Sequence, residues 1–200
     1  MARIAGPPPA RRPRPQHARL PAGSDLYRIY NPTRHGGTPL GFRFVGPLVR
    51  FDHHVGGSTD RGSYYAAPSL ESCVVEVFGD LGVVTFDEFR VMKPLLHCEL
   101  VLLDLRARGA MRAGTVAAIA SADYGLSQAW SRYFYEQPEA YGEIDGLLYA
   151  NAHNGADAVA LYERAQNALD CATEREWRLD DPAIETEVRR IAHANNLLVE

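Results

Sequence analysis

Short apolar runs of two periods divide the chain. Five stretches alternate or run continuously apolar over strand lengths and are bounded by turn residues: "LYRIYN" (26–31), "SYYAA" (63–67), "LLHCELVLLDL" (95–105), "DGLLYANAH" (145–153) and "AVALYERA" (158–165). They predict strands, the last two joined by a loop containing Asn154-Gly155. Elsewhere the period is helical. After Pro68, Ser69 is placed as an N-cap, and Leu70, Cys73, Val74, Val77 and Phe78 recur on one face. Trp130, Tyr133 and Phe134 share a face of "SQAWSRYFYEQ", "AGTVAAIAS" (113–121) predicts a short helix, and "DDPAIETEVRRIAHANNLL" predicts a C-terminal one with Pro182 in its first turn. Glycine-rich segments, "HGGTPLG" and "HHVGGSTDRG", predict loops. Strands and helices intermix without regular βα alternation. The fold class expected is therefore α+β, with mixed, largely antiparallel sheets and flanking helices.

Length and composition narrow this picture. At 200 residues, with 46% hydrophobic and 23% charged residues, the chain suits one soluble domain. No apolar run approaches the ~18 residues of a membrane span. A net charge of -4 with a pI near 6.0 argues against nucleic-acid binding through bulk positive charge. Residues 1–24 are rich in proline and hold five arginines but no acidic residue, which predicts a disordered basic arm, with the domain proper over 25–200. Such an arm is either a solvated leader or a docking segment for an acidic partner. No apolar core of a secretory signal is seen, so a cytoplasmic location is expected. Cys73, Cys98 and Cys171 lie among apolar residues, too widely spaced for a zinc site, and are expected to be reduced core residues.

Little in the chain advertises familiar chemistry. Neither GxGxxG nor GxxxxGK[ST] occurs, and there is no HExxH or nucleophile elbow. His53 and His54 are adjacent and cannot easily share a metal. His97 and Glu99 share a strand face but lack a third ligand. No metal is expected. The tyrosines Tyr133, Tyr135, Tyr141 and Tyr149 are expected in the core or at its rim. What remains is Glu76, off the apolar stripe of its helix, with Tyr65, Arg28 and Arg50 near strand ends and loop mouths. Taken alone, each has the ordinary explanation of a solvated surface residue.

Their order along the chain adds more. The succession "LYRIY", "VRFD", "YYAAPSLESCVVEVFGD", "SQAWS" and "DGLLYANAHNGADAVALYERA" resembles the RES-domain family, named for an arginine, a glutamate and a serine, over about residues 25–165. The most specific element is the tyrosine eleven positions before the glutamate. The resemblance implies an ADP-ribosyltransferase-like fold and a toxin of a toxin-antitoxin pair that attacks NAD+. It implies Arg28 as the family arginine, Arg50 as a second anion-binding arginine, Tyr65 as the site tyrosine and Glu76 as the family glutamate. Where the family serine is expected, this chain has Asn151, a candidate to hold a ribose hydroxyl or a phosphate oxygen.

On that resemblance, NAD+ is a substrate and no cofactor is expected. The implied reaction is cleavage of the nicotinamide-ribose bond by hydrolysis or phosphorolysis. ADP-ribosylation of a protein target is the first alternative, and a catalytically impaired NAD-binding module, suggested by Asn151, the second. The implied partner is an antitoxin with an Xre-type helix-turn-helix domain; neither direct nucleic-acid binding nor a membrane is expected.

Overall fold

The computed structural model describes residues 4–34, 37–170 and 175–200. In chain order the elements are β1 (His17–Leu20), β2 (Arg28–Tyr30), β3 (Ser63–Ala66), α1 (Leu70–Phe78), β4 (Val83–Val84), β5 (Arg90–Met92), β6 (Leu95–Leu96) and β7 (Leu100–Asp104). There follow α2 (Ala107–Arg112), a 3-10 turn at Ala117–Ser121, α3 (Tyr124–Glu136), α4 (Pro138–Tyr141), β8 (Gly146–Ala150) and β9 (Asp157–Tyr162). A second 3-10 turn (Glu163–Ala168), β10 (Leu169–Asp170), β11 (Glu176–Arg178), α5 (Pro182–Ala194) and β12 (Leu198–Val199) complete the set.

A five-stranded sheet of order β1-β7-β8-β9-β3 carries the core. Only the β7–β8 pair is parallel; the other neighbours are antiparallel. Both faces are covered, which is why "GLLYA" and "AVALY" are continuously apolar rather than half polar. Leu147, Tyr149, Ala158, Ala160 and Tyr162 pack with Trp130, Phe134 and Tyr141 on one side. Their alternates Leu148, Val159 and Leu161 join Leu26, Tyr64, Leu100 and Leu102 on the other. A second antiparallel sheet, β11-β5-β2, underlies α1 and α5, whose Cys73, Val74, Phe78, Val188 and Ile191 form a third apolar cluster with Ile29 and Val91. Short pairs β10-β6 and β12-β4 tie the remaining segments down. The α+β class with mixed sheets and flanking helices is thus observed.

Three expectations need correction. The run 95–105 is two strands, not one. Leu95–Leu96 pairs with β10, whereas Leu100–Asp104 lies between β1 and β8, and the chain breaks at His97–Glu99 to change partners. Within 113–121 only Ala117–Ser121 is helical, as a 3-10 turn, while α2 begins earlier. The third correction concerns the arm. Of residues 1–24, those from Ile4 onward are described, and they are laid against the domain: β1 pairs in register with β7, and the Gln16 carbonyl accepts from Asp104 N at 2.9 Å. Further back, Arg14 N donates to Arg112 O at 2.8 Å, Arg112 Nε returns a bond to Arg14 O, and Trp130 Nε1 donates to Ala5 O at 2.8 Å. Composition measures only what side chains can bury. Here backbone groups, paired with the free edge of a sheet, supply the attachment.

Cys73 is buried as expected, but Cys98 is exposed in the break before β7. Cys171 lies outside the described residues. His53 and His54 do sit in a loop, yet both are fully buried: His53 bonds Glu163 at 2.9 Å and His54 bonds the Arg43 carbonyl at 3.0 Å.

Candidate active site

Glu76 owes its position to helix α1. Ser69 caps the helix, its hydroxyl accepting from Ser72 N at 3.1 Å, and the apolar stripe turns Cys73, Val74 and Phe78 into the third cluster. That rotation sends Glu76 and Val77 sideways into a pocket of about 250 Å³, shared with Val49, Arg50, Tyr65, Asp80, Ala120, Tyr124, Ala152 and His153. Glu76 Oε1 accepts a 3.0 Å hydrogen bond from the buried Tyr149 hydroxyl. Burial pushes the Glu76 carboxyl above its ordinary range, while the Tyr149 bond and the charges of His153 and Arg50 pull the other way. Burial, with Glu76 next to it, also holds the Tyr149 hydroxyl protonated far into the alkaline range, so Tyr149 is the donor.

Tyr65 is the hinge of the site. It belongs to the Glu76 pocket, to a small recess of about 50 Å³ beside Cys73 and Tyr149, and to a third cavity of about 220 Å³ that contains Arg28. Its hydroxyl donates to Asp52 Oδ1 at 3.0 Å and accepts from Phe51 N at 3.0 Å. Burial and the neighbouring Asp52 carboxylate raise its pKa, fixing the proton on the phenol. Asp52, fully buried, also accepts from Arg43 Nη2 at 2.8 Å and from Leu48 N and Val49 N at 2.6 and 2.8 Å. One carboxylate therefore ties the loop that carries Arg50 to the tyrosine that divides the cleft.

The two arginines predicted from sequence lie in different compartments. Arg50 sits in the Glu76 pocket, donating to the Ala122 carbonyl with its guanidinium carbon 4.8 Å from the Tyr124 ring centre. Arg28 lies on the other side of Tyr65, its guanidinium carbon 4.1 Å from the Tyr64 ring centre. Its Nη1 is buried without a hydrogen-bond partner among the described residues. Arg28 lines the third cavity, and a buried donor without a partner is costly until an acceptor reaches it.

Asn151 behaves differently. It is buried, and its amide is fully used within the β8–β9 turn: Nδ2 donates to Ser72 Oγ at 3.2 Å and to Asn154 Oδ1 at 2.9 Å, and Oδ1 accepts from His153 N and Asn154 N at 3.0 Å. With these four bonds every polar atom of the side chain is engaged within the protein. Asn151 pins the turn to Ser72, one turn before Glu76 on α1.

The residues that sequence reasoning passed over are Tyr149, Asp52 and His153. Tyr149 was read as core, and it is buried, but its hydroxyl ends at Glu76. The available signal was parity: Tyr149 alternates with Leu148, so it emerges on the face opposite to the second cluster.

A search of the curated proteins gives no match. Among solved structures, a chain in the crystal structure of the M. tuberculosis MbcT–MbcA toxin-antitoxin complex is similar, with a TM-score of 0.53 over 86% of this chain and 92% of that one. Identity is 17%, so the likeness is one of fold. The family model of the RES domain matches residues 18–181, beginning within β1 and running to the N-cap of α5. With that match spanning well over half its length, the chain belongs to the RES-domain family.

Proposed function

We propose that this protein is the toxin of a toxin-antitoxin pair and that it cleaves the nicotinamide-ribose bond of NAD+. The observation that carries the reading is the shape of the cleft: one part-buried carboxylate, Glu76, with the other lining carboxylate, Asp80, exposed at the rim, and with Tyr65 between this pocket and the cavity that Arg28 lines. Nicotinamide leaves as a neutral amine from a charged precursor, so its departure needs no general acid. The sugar passes through an oxocarbenium-like state that one carboxylate can stabilise. O-glycoside hydrolysis by contrast ordinarily takes two.

Glu76 then hydrogen-bonds the ribose and stabilises the developing cation, with Tyr149 holding the carboxylate in place. Arg28, which lines the adjoining cavity, takes a phosphate oxygen of the pyrophosphate with its guanidinium, and Arg50 contributes positive charge from the other side of Tyr65. The Tyr65 ring is the wall against which nicotinamide or ribose packs. Asn151 stands outside this contact set, so asparagine in place of serine removes no group from the Glu76 pocket. That supports an active enzyme over a binding-only module. The partner we propose is an antitoxin with a helix-turn-helix domain, and the cytoplasmic NAD+ pool is the substrate.

The test is Glu76→Gln, assayed by nicotinamide release from NAD+. Loss of a transition-state charge contact of this kind reduces the rate about 10²-fold or more. Nicotinamide release by the variant at the wild-type rate overturns the assignment.

A further inference from the structure

His153 was not among the residues singled out by sequence, yet the fold delivers it to the Glu76 pocket. Its backbone N–H is held by Asn151 Oδ1 at 3.0 Å. Its ring lies against Gly79 at the C-terminus of α1, so closely that a Cβ at position 79 would fall 2.6 Å from the His153 Cγ. Only glycine leaves room for the ring. The side chain is 25% exposed, and its Nε2 stands 3.7 Å from Asp80 Oδ1, close enough for charge attraction but too far for a hydrogen bond. Among the described residues, neither ring nitrogen has a hydrogen-bond partner.

The other polar groups lining the pocket are occupied or poorly placed to take a proton from an attacking nucleophile. Arg50 has no acceptor atom. Tyr65 keeps its proton in the bond to Asp52, and Glu76 is engaged by Tyr149 and is needed at the ribose. Asp80 lies at the exposed rim, 80% exposed, and is paired at 3.7 Å with His153 Nε2, so its charge is directed to the imidazole. Tyr124 stacks its ring against the Arg50 guanidinium, with the guanidinium carbon 4.8 Å from the ring centre.

We propose that His153 is the general base that accepts the proton of the attacking water in NAD+ hydrolysis, with Asp80 orienting the imidazole and stabilising its charged form. This rests on the reading of the cleft as an NAD+ site. In the step, the bond from C1′ to the nicotinamide nitrogen breaks with its electron pair on nicotinamide. The water oxygen bonds to C1′, and the water proton passes to the imidazole and from there to solvent. The products are nicotinamide, ADP-ribose and one proton. Asn151 acquires a role here as a positioning residue: the bond that fixes the turn also sets where His153 stands.

The experiment measures nicotinamide release from NAD+ by the full chain, with and without sodium azide, an anionic nucleophile that has no proton to lose. General-base catalysis is worth 10²–10⁴-fold, so His153→Asn is expected to lose about 10²-fold in water. Azide restores the rate and gives ADP-ribosyl azide as product. Asp80→Asn loses less and is restored in the same way, whereas Glu76→Gln stays inactive with azide. Undiminished hydrolysis by His153→Asn, or a loss that azide does not repair, overturns the role of His153. A wild-type protein that releases no nicotinamide under either condition overturns the NAD+ reading itself, and this inference with it.

Discussion

Removing one hydroxyl, in Tyr149→Phe, tests how the protein keeps Glu76 ionised. The carboxylate is pushed towards its neutral form by burial and held back by the 3.0 Å bond from Tyr149 and by the Arg50 charge. A hydrogen bond to a charged group is worth about 1.5–3 kcal/mol. Losing the bond therefore moves the Glu76 pKa further upward, by an energy within that range. Water entering from the open side of the pocket replaces part of the bond, so the lower figure is the expected one. Phe keeps the ring in contact with Phe51, whose centroid lies 4.7 Å away, so packing is preserved. The assay is a 13C titration of the side-chain carboxyls in protein labelled at glutamate, with Glu76→Gln identifying the resonance. In function, the variant loses more activity in acid than in alkali, because Glu76 acts deprotonated. A Glu76 titration that stays put or moves downward refutes the argument that Tyr149 sets its charge.

Two further outcomes concern stability. Burial acts to raise the Glu163 pKa, but bonds from His53, Tyr135 and Gly62 N outweigh it and bring the value down to about 2. A depressed carboxylate contributes stability that is fully present above its unfolded value of about 4.3 and is lost as pH falls towards 2. Glu163→Gln is therefore expected to cost about 2 kcal/mol in urea unfolding at pH 7, discounted for partial solvent exposure, with the gap closing between pH 4 and pH 2. Asn151→Ala removes four hydrogen bonds from a buried turn and is expected to cost about 2–3 kcal/mol and lower the melting temperature. Hydrolysis falls through the displaced His153, measured as a drop in kcat at nearly constant KM.

Some of this could be read from the chain and some could not, for definable reasons. The Ser69 cap and the spacing of Cys73, Val74 and Phe78 set the rotation of α1, and with it the direction of Glu76, because local hydrogen bonding and one apolar face are enough to do so. Arg28 and Arg50 were recognisable by their order relative to Tyr65 and Glu76. Their separation into two compartments was not, since it depends on Tyr65 standing between cavities. Asp52 and Tyr149 were hidden for another reason: each acts through one polar atom at the end of a buried side chain, and burial is all that hydropathy records. Asn151 was read by analogy with a serine and assigned to ligand, while its actual bonds are made with neighbours two and three residues on and with Ser72 across the fold. Similarly, the strand break at His97–Glu99 depends on which partners the two halves find, information that resides in β1, β8 and β10.

The attachment of β1 has a consequence beyond anchoring a terminus. β7 carries Leu100 to Asp104 at the flank of the main sheet, and β1 covers its outer row of amide and carbonyl groups. Trimmed of the residues before Leu20, the protein would present a bare strand edge next to a large apolar core. Such an edge recruits a strand from a neighbouring molecule, so an N-terminally shortened form is expected to self-associate.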